Sequence, residues 1–152
     1  MPKLDLETIQ QTNATGYPAP FHEEVQGRWV RRLAAATGIS EFGASHVVLK
    51  PGAWSSQRHW HDSEDELLVM LEGEAVLFED EGRTVLRPGD ICAWPKGLTN
   101  GHHLRNESSE DCCFVVISGG VRTGGGYSDI DMIFTADAYL RKDGTPYPGR
   151  NA

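Results

Sequence analysis

What is scarce in this chain narrows the field first. Its 152 residues include only 3 cysteines, two of them adjacent at Cys112 and Cys113 and the third at Cys92. That is no disulfide framework, and we read all three as reduced, buried thiols. No apolar run approaches the roughly 20 residues that a membrane helix needs, so no membrane partner is expected. Basic residues are outnumbered, 14 Lys and Arg against 22 Asp and Glu for a formal charge of -8, and they are dispersed. A nucleic-acid partner is therefore not expected, since displacing counterions from a phosphate backbone needs clustered positive charge. The opening "MPKLDLETIQ" lacks the basic-then-apolar pattern of a secretory signal, and a cytoplasmic location is the expectation. Internal repeats are missing as well. The five glycines of "GGVRTGGG", Gly119 to Gly126, have no following Lys-Ser/Thr, which excludes a phosphate-binding loop and predicts a flexible connector.

What the chain has in quantity is glycine and proline, 17 and 8 residues, scattered between short runs of Val, Ile, Leu, Phe and Trp. From Ala44 onward "ASHVVLKPG", "ELLVMLEG", "EAVLFEDEG", "RTVLRPGD", "ICAWPKG" and "CCFVVISGG" read as successive short strands punctuated by turns. The fold class is all-β, a sandwich or barrel in one domain. Residues 1–40 are read as an N-terminal extended arm packing on the barrel or on a partner subunit, 41–120 as the barrel, and 121–152 as a C-terminal tail. Within the first of these, "RWVRRLAAATG" is compatible with a helix capped by Gly38 or with a strand and a turn. Along Glu66 to Glu72 both faces are apolar, Leu67, Val69 and Leu71 on one and Leu68 and Met70 on the other. One face belongs to the interior; the other needs a cover, either the N-terminal arm or the same surface of a second subunit, and a homodimer is expected.

The chemistry is concentrated in "RHWHDSEDELLVMLEG". His59 and His61 leave the same side of an extended chain about 6.6 Å apart, within reach of a single metal ion. Glu66 follows after a turn through "DSED" that aims its carboxylate back at the histidines. A third imidazole comes from "GHHLRN", where His102, Leu104 and Asn106 alternate onto one face and His103 and Arg105 onto the other. Leu104 and Asn106 suit an interior, the latter as a hydrogen-bonding support for a ligand, so His102 is the candidate and His103 the alternative.

These two segments resemble the two characteristic motifs of the cupin superfamily. In the first, G-x5-H-x-H-x4-E-x6-G, His59, His61, Glu66 and Gly73 keep the spacing, while six residues separate Gly52 from His59. In the second, G-x5-P-x-G-x2-H-x3-N, Gly89, Pro95 and Gly97 match, and the histidine arrives two residues late, with Asn100 in its place. The resemblance spans residues 44 to 118. It implies a double-stranded β-helix, or jelly-roll barrel, enclosing a metal held by His59, His61, Glu66 and His102.

Three neutral imidazoles and a carboxylate suit a divalent transition metal such as Fe, Mn, Zn or Ni, and leave coordination positions open for a small molecule. Two functions follow as expectations. One is a metal-dependent enzyme acting on a small polar, oxygen-rich metabolite, a dioxygenase with iron or an isomerase or lyase with other metals, with Glu66 also serving as the catalytic proton carrier. The other is a non-catalytic module that binds a metabolite or sugar. Outside this set the plain structural role is the first expectation: Glu64 and Asp65 in a solvated turn, with support of a ligand by one of them as the alternative; His22 and His46 structural; Trp54, Trp60 and Trp94 in core or interface, with Trp94 alternatively at the pocket mouth; Arg58 and Arg105 on the surface, with pairing to a substrate carboxylate as the alternative. Cys92, Ser55 and Ser56 lack the setting of a nucleophile.

Overall fold

Alternation of β-branched and aromatic residues, cut short by glycine and proline, builds an antiparallel structure. The computed structural model of the protein describes residues 2–148. Its strands are β1 Gln11–Thr12, β2 Arg28–Arg32, β3 Phe42–Leu49, β4 His59–His61, β5 Glu64–Glu72, β6 Ala75–Glu79, β7 Gly82–Leu86, β8 Ile91–Trp94, β9 His103–Arg105, β10 Cys112–Gly120, β11 Gly124–Tyr127, β12 Ile133–Thr135 and β13 Tyr139–Leu140. A single helical turn and a half, α1 at Leu33–Thr37, and a 3₁₀ turn at Leu6–Thr8 are the helical elements among the described residues. No helix there is long and apolar enough to cross a membrane.

One wall of the barrel is a six-stranded sheet in the order β1-β2-β3-β10-β5-β8. Its register sets Val30 opposite Val47, Val47 opposite Phe114, and Phe114 opposite Met70, so one face presents a continuous apolar row to the interior. Glu66 lies opposite Trp94 near one end of this wall. The other wall is made of two smaller sheets, β13-β12-β11-β4 and β7-β6-β9. They meet at an isolated pairing of His59 with His102, in which the His59 amide donates to the His102 carbonyl (3.2 Å) and the His102 amide to the His59 carbonyl (3.0 Å). Trp54 pairs likewise with Arg105. Leu49, Leu68, Met70, Leu77, Leu104 and Phe114 fill the space between the walls. A second apolar cluster of Tyr17, Val25, Tyr127, Met132 and Phe134 backs β4 and β11.

Three sequence expectations change here. "RWVRRLAAATG" is both things in turn: Arg28–Arg32 is a strand of the six-stranded wall and Leu33–Thr37 is helical, stopped by Gly38 in the left-handed conformation. Residues 28–32 thus belong to the barrel wall rather than to an arm. The glycine-rich stretch is not a flexible connector, because Gly124–Tyr127 is a buried strand paired with β4 on one side and β12 on the other. Glycine is required there by close approach: a Cβ on Gly125 would overlap the Trp60 carbonyl oxygen, and one on Gly126 the Trp60 indole. With β12 and β13 following, the described part of 121–152 completes the second wall instead of trailing from it.

The outer side of β5 exposes Leu67 and Leu71, and Ile91 on neighbouring β8 is exposed beside them. The N-terminal strand β1 pairs with β2 at the opposite edge of the sheet and does not cover this face.

Candidate metal centre

β4 is three residues long, and its alternation sends Trp60 outward against Gly126 while His59 and His61 go the other way. The turn into β5 is tighter than the sequence suggested. Only Asp62 and Ser63 separate the strands, so Glu64 and Asp65 are strand residues rather than a solvated turn. Glu64 is drawn to the site, its Oε2 2.9 Å from His61 Nδ1, while Asp65 Oδ1 accepts the Lys96 amide. Glu66, two residues on, brings its carboxylate to the same side as Glu64.

The donor atoms converge. His59 Nε2 and His61 Nε2 are 3.1 Å apart, Glu66 Oε2 is 3.4 Å from His61 Nε2, and the same oxygen is 3.1 Å from His102 Nε2. One donor each from His59, His61 and Glu66 lies within 4.8 Å of the other two, and His102 joins through Glu66. Metal bonds of about 2.1 Å put neighbouring donors about 3.0 Å apart at right angles and about 3.4 Å apart at tetrahedral angles. The observed edges fall in that interval.

The tautomers agree with ligation. His59 Nδ1 is 2.9 Å from the Gln57 carbonyl, which only accepts, so Nδ1 carries the hydrogen and Nε2 the lone pair. His61 Nδ1 donates to the Glu64 carboxylate, with the same result. With both rings neutral, two lone pairs face each other at 3.1 Å; a proton on His61 Nε2 relieves that repulsion in the free protein, and a divalent ion between the rings would take the proton's place, so the donor set fits such an ion.

His103, the alternative to His102, is turned away. Its Nδ1 donates to the Ser56 carbonyl (2.7 Å) and its Nε2 accepts from Arg105 Nε (3.0 Å), leaving neither nitrogen for a metal. Burial, with the Arg105 charge assisting and the Ser56 hydrogen bond opposing, holds its pKa down at about 4. His102 instead stacks flat on the Trp94 indole, centroids 3.8 Å apart and planes within 4°. Trp94 Nε1 is itself anchored on Glu79 Oε1 at 2.9 Å, so the indole fixes the ring plane of His102.

The protein groups alone set opposite charge states on the two β4 histidines. Burial pushes His59 down to about 3 against the pull of the Glu66 carboxylate. For His61 burial acts the same way but is outweighed by its bonds to Glu64 and Glu66, which raise it to about 9. Burial opposes the charge on Glu66, yet His102 and His61 overcome it and lower its pKa. A buried carboxylate held ionised among imidazoles is the charge pattern that receives a cation.

Other expected roles shift. Asn106 is fully buried but supports no ligand: its amide nitrogen donates to the Leu49 and Glu110 carbonyls, and its oxygen accepts from Ser108. Arg58 is not a free surface residue but bridges Asp80 and Asp129, and Arg105 is held against the Trp54 and Phe78 rings. Glu64 takes the alternative role of supporting a ligand, Trp94 lines the cavity beside the site, and the functional candidates without a counterpart in the sequence reading are Arg28 and Arg32. The arginines had a visible signal in "RWVRR", where alternation sets two of them on the same face as Val30.

Two cavities adjoin the centre. One of about 230 Å³ is lined by His59, Glu66, Trp94, His102 and the inward face of β2. The second, of about 240 Å³, runs past His59 and His61 towards Tyr17, Tyr127 and Tyr139. Arg28, Arg32, Ser56 and His59 line both.

The sequence profile of the cupin domain matches residues 45–118. Among solved structures, a sugar phosphate isomerase of the cupin superfamily from Silicibacter pomeroyi is 39% identical, with 97% of each chain covered and a TM-score of 0.91. A polyketide cyclase from Streptomyces resistomycificus is 19% identical over 86% of this chain and 87% of its own, TM-score 0.69. A cupin 2 conserved barrel domain protein from Salinispora arenicola is 22% identical over 80% and 88%, TM-score 0.57. The latter two share the fold alone. No curated protein matches the sequence. On the matching motifs, the double wall of antiparallel strands and full-length similarity to a cupin at 39% identity, this chain belongs to the cupin superfamily.

Proposed function

We propose that the protein is a metal-dependent isomerase of a small hydroxy-carbonyl metabolite of the sugar class, with His59, His61, Glu66 and His102 as the metal ligands. The observation that carries this reading is the clustering of donors from His59, His61 and Glu66 within 4.8 Å of one another, with His102 Nε2 3.1 Å from the Glu66 oxygen that faces His61. The full-length likeness to a protein described as a sugar phosphate isomerase supports the substrate class.

A divalent ion held by these residues supplies Lewis acidity, polarising adjacent carbonyl and hydroxyl oxygens of a substrate. The chain supplies the rest. His59 and His61 are oriented by Gln57 and Glu64, and His102 by Trp94, so the ligand set is rigid before substrate arrives. Both contacts of Glu66 with imidazoles use Oε2, which leaves Oε1 to take a proton from the carbon bearing the hydroxyl and return it to the neighbouring carbon. The exchange balances within the substrate: one C–H and one O–H bond break, one C–H bond forms at the neighbouring carbon and one O–H bond at the former carbonyl oxygen, and no oxidant or reductant is consumed. Leu68, Leu104, Phe114 and Val116 line the first cavity and limit water at the reacting carbons.

The test is turnover of aldose and ketose panels by metal-loaded protein in deuterated water. Isomerisation with deuterium entering the product, lost in Glu66→Gln, supports the proposal. Retention of a sugar without turnover on any substrate would assign the protein to metabolite binding instead.

A further inference from the structure

The chain carries a formal charge of -8, yet the cavities beside the metal centre are walled by cations. Arg28 and Arg32 lie on the inward face of β2 and line both spaces, and Arg122, between β10 and β11, lines the second. Among all the residues lining the two cavities, the sole carboxylate is Glu66, and His61 and His102 engage it.

Elsewhere Arg31, Arg58, Arg83 and Arg87 are each paired with a carboxylate. Among the described residues Arg28, Arg32 and Arg122 have no such partner; Arg105 and Arg141 also have none, but these two lie away from the cavities against aromatic rings. Arg28 is the most telling of the three. Its Nη1 donates to the Ser55 carbonyl at 2.9 Å, while its Nε is buried with no hydrogen-bond partner. A buried guanidinium with a donor left over and no counter-charge is unfavourable unless an anion completes it. Arg122 lies over the Phe134 ring, 4.8 Å from its centroid, and Phe134 packs edge-on against His61, which ties this third charge to the metal centre.

We propose that Arg28 and Arg32, with Arg122 at the rim, form an anion subsite that takes the phosphate of a small phosphorylated substrate whose oxygen-bearing carbons face the metal ligands. Three cations without counter-ions match a dianion better than a monoanionic carboxylate, and the guanidinium fork pairs two oxygens of a tetrahedral phosphate at once. Ser56, Tyr17 and Tyr139 line the same space and carry hydroxyls that can serve as neutral donors, while the Tyr127 hydroxyl donates to Tyr17. The identity of the rest of the substrate rests on the isomerase reading; the anion subsite does not.

The experiment is calorimetric titration of the full chain with inorganic phosphate at low ionic strength, with metal and after chelation. Phosphate is expected to bind the chelated protein, and Arg32→Gln, an exposed position without a partner, to weaken it about tenfold or more. Arg122→Gln weakens it less, and Arg28→Lys, checked for folding by circular dichroism, weakens it too. Arg83→Gln, whose partner is Glu107, leaves affinity unchanged. No phosphate binding after chelation, affinity untouched by Arg32→Gln and Arg28→Lys, or acetate bound as tightly as phosphate would each overturn the proposal. If the protein neither holds metal nor turns over sugars while Arg32→Gln still weakens phosphate, the isomerase reading falls and the subsite stands. If free sugars are turned over as well as their phosphates, the subsite falls alone.

Discussion

Replacing Glu64 tests the design of the metal centre without touching a ligand. Its Oε2 is 2.9 Å from His61 Nδ1 and both side chains are about 15% exposed, so water does not readily substitute for the bond. The carboxylate does two things: it fixes the Nδ1–H tautomer, which leaves the Nε2 lone pair for the ion, and its charge makes the imidazole a stronger donor. Glu64→Gln keeps the shape and can keep the hydrogen bond through the amide oxygen, but loses the charge. The amide can also turn its NH2 towards Nδ1, which favours the tautomer protonated on Nε2. Removing such a supporting partner typically costs 10- to 100-fold in metal affinity, about 1.4 to 2.7 kcal/mol. We expect Glu64→Gln near the lower figure and Glu64→Ala near the upper. Competition with a chromophoric chelator for zinc measures it, and Asp65→Asn is the control, since its carboxylate accepts the Lys96 amide instead. Equal affinities for parent, Glu64→Gln and Glu64→Ala would refute the argument that this carboxylate organises the site.

Elemental analysis of untagged protein is expected to give about one transition-metal ion per chain, lost in His59→Ala and Glu66→Ala; undiminished metal in those variants rejects the ligand set. Trp94→Ala removes the stack on His102 and a largely buried indole, at a cost of about 3–5 kcal/mol in denaturant unfolding, and Trp94→Phe is expected to recover part of the stability and most of the metal affinity. Gly126→Ala places a methyl against the Trp60 ring and should destabilise by about 1–3 kcal/mol; an unchanged melting temperature would contradict that packing. We further propose that a second copy of the chain covers the outer face bearing Leu67, Leu71 and Ile91, so sedimentation equilibrium should show a dimer that Leu67→Asp dissociates, and a monomeric parent would disprove it.

Much of this was legible in the sequence because it depends on period-two alternation, which the amino acids display directly. His59 and His61 share a face for that reason, and Leu104 is buried while Arg105 lies on the opposite side. The choice between His102 and His103 was harder, since it depends on partners distant in sequence: His103 is claimed by Ser56 and Arg105, His102 by Trp94. Glu64 came second to a solvated turn because the turn after His61 needed only two residues, not four. The glycines of β11 misled for a physical reason. Composition reports their flexibility as a free chain, whereas their use here is the lack of a side chain where Trp60 lies against the backbone.

The His59–His102 pairing joins the two smaller sheets by a pair of backbone hydrogen bonds, and the same residues carry the imidazoles that would hold the ion. Glu66 brings in the six-stranded wall, so a bound cation would rivet all three sheets at a single point. Binding and closure are then one equilibrium: amides along this junction should exchange with solvent faster when the ion is stripped away, and any excursion that parts the sheets must also release it.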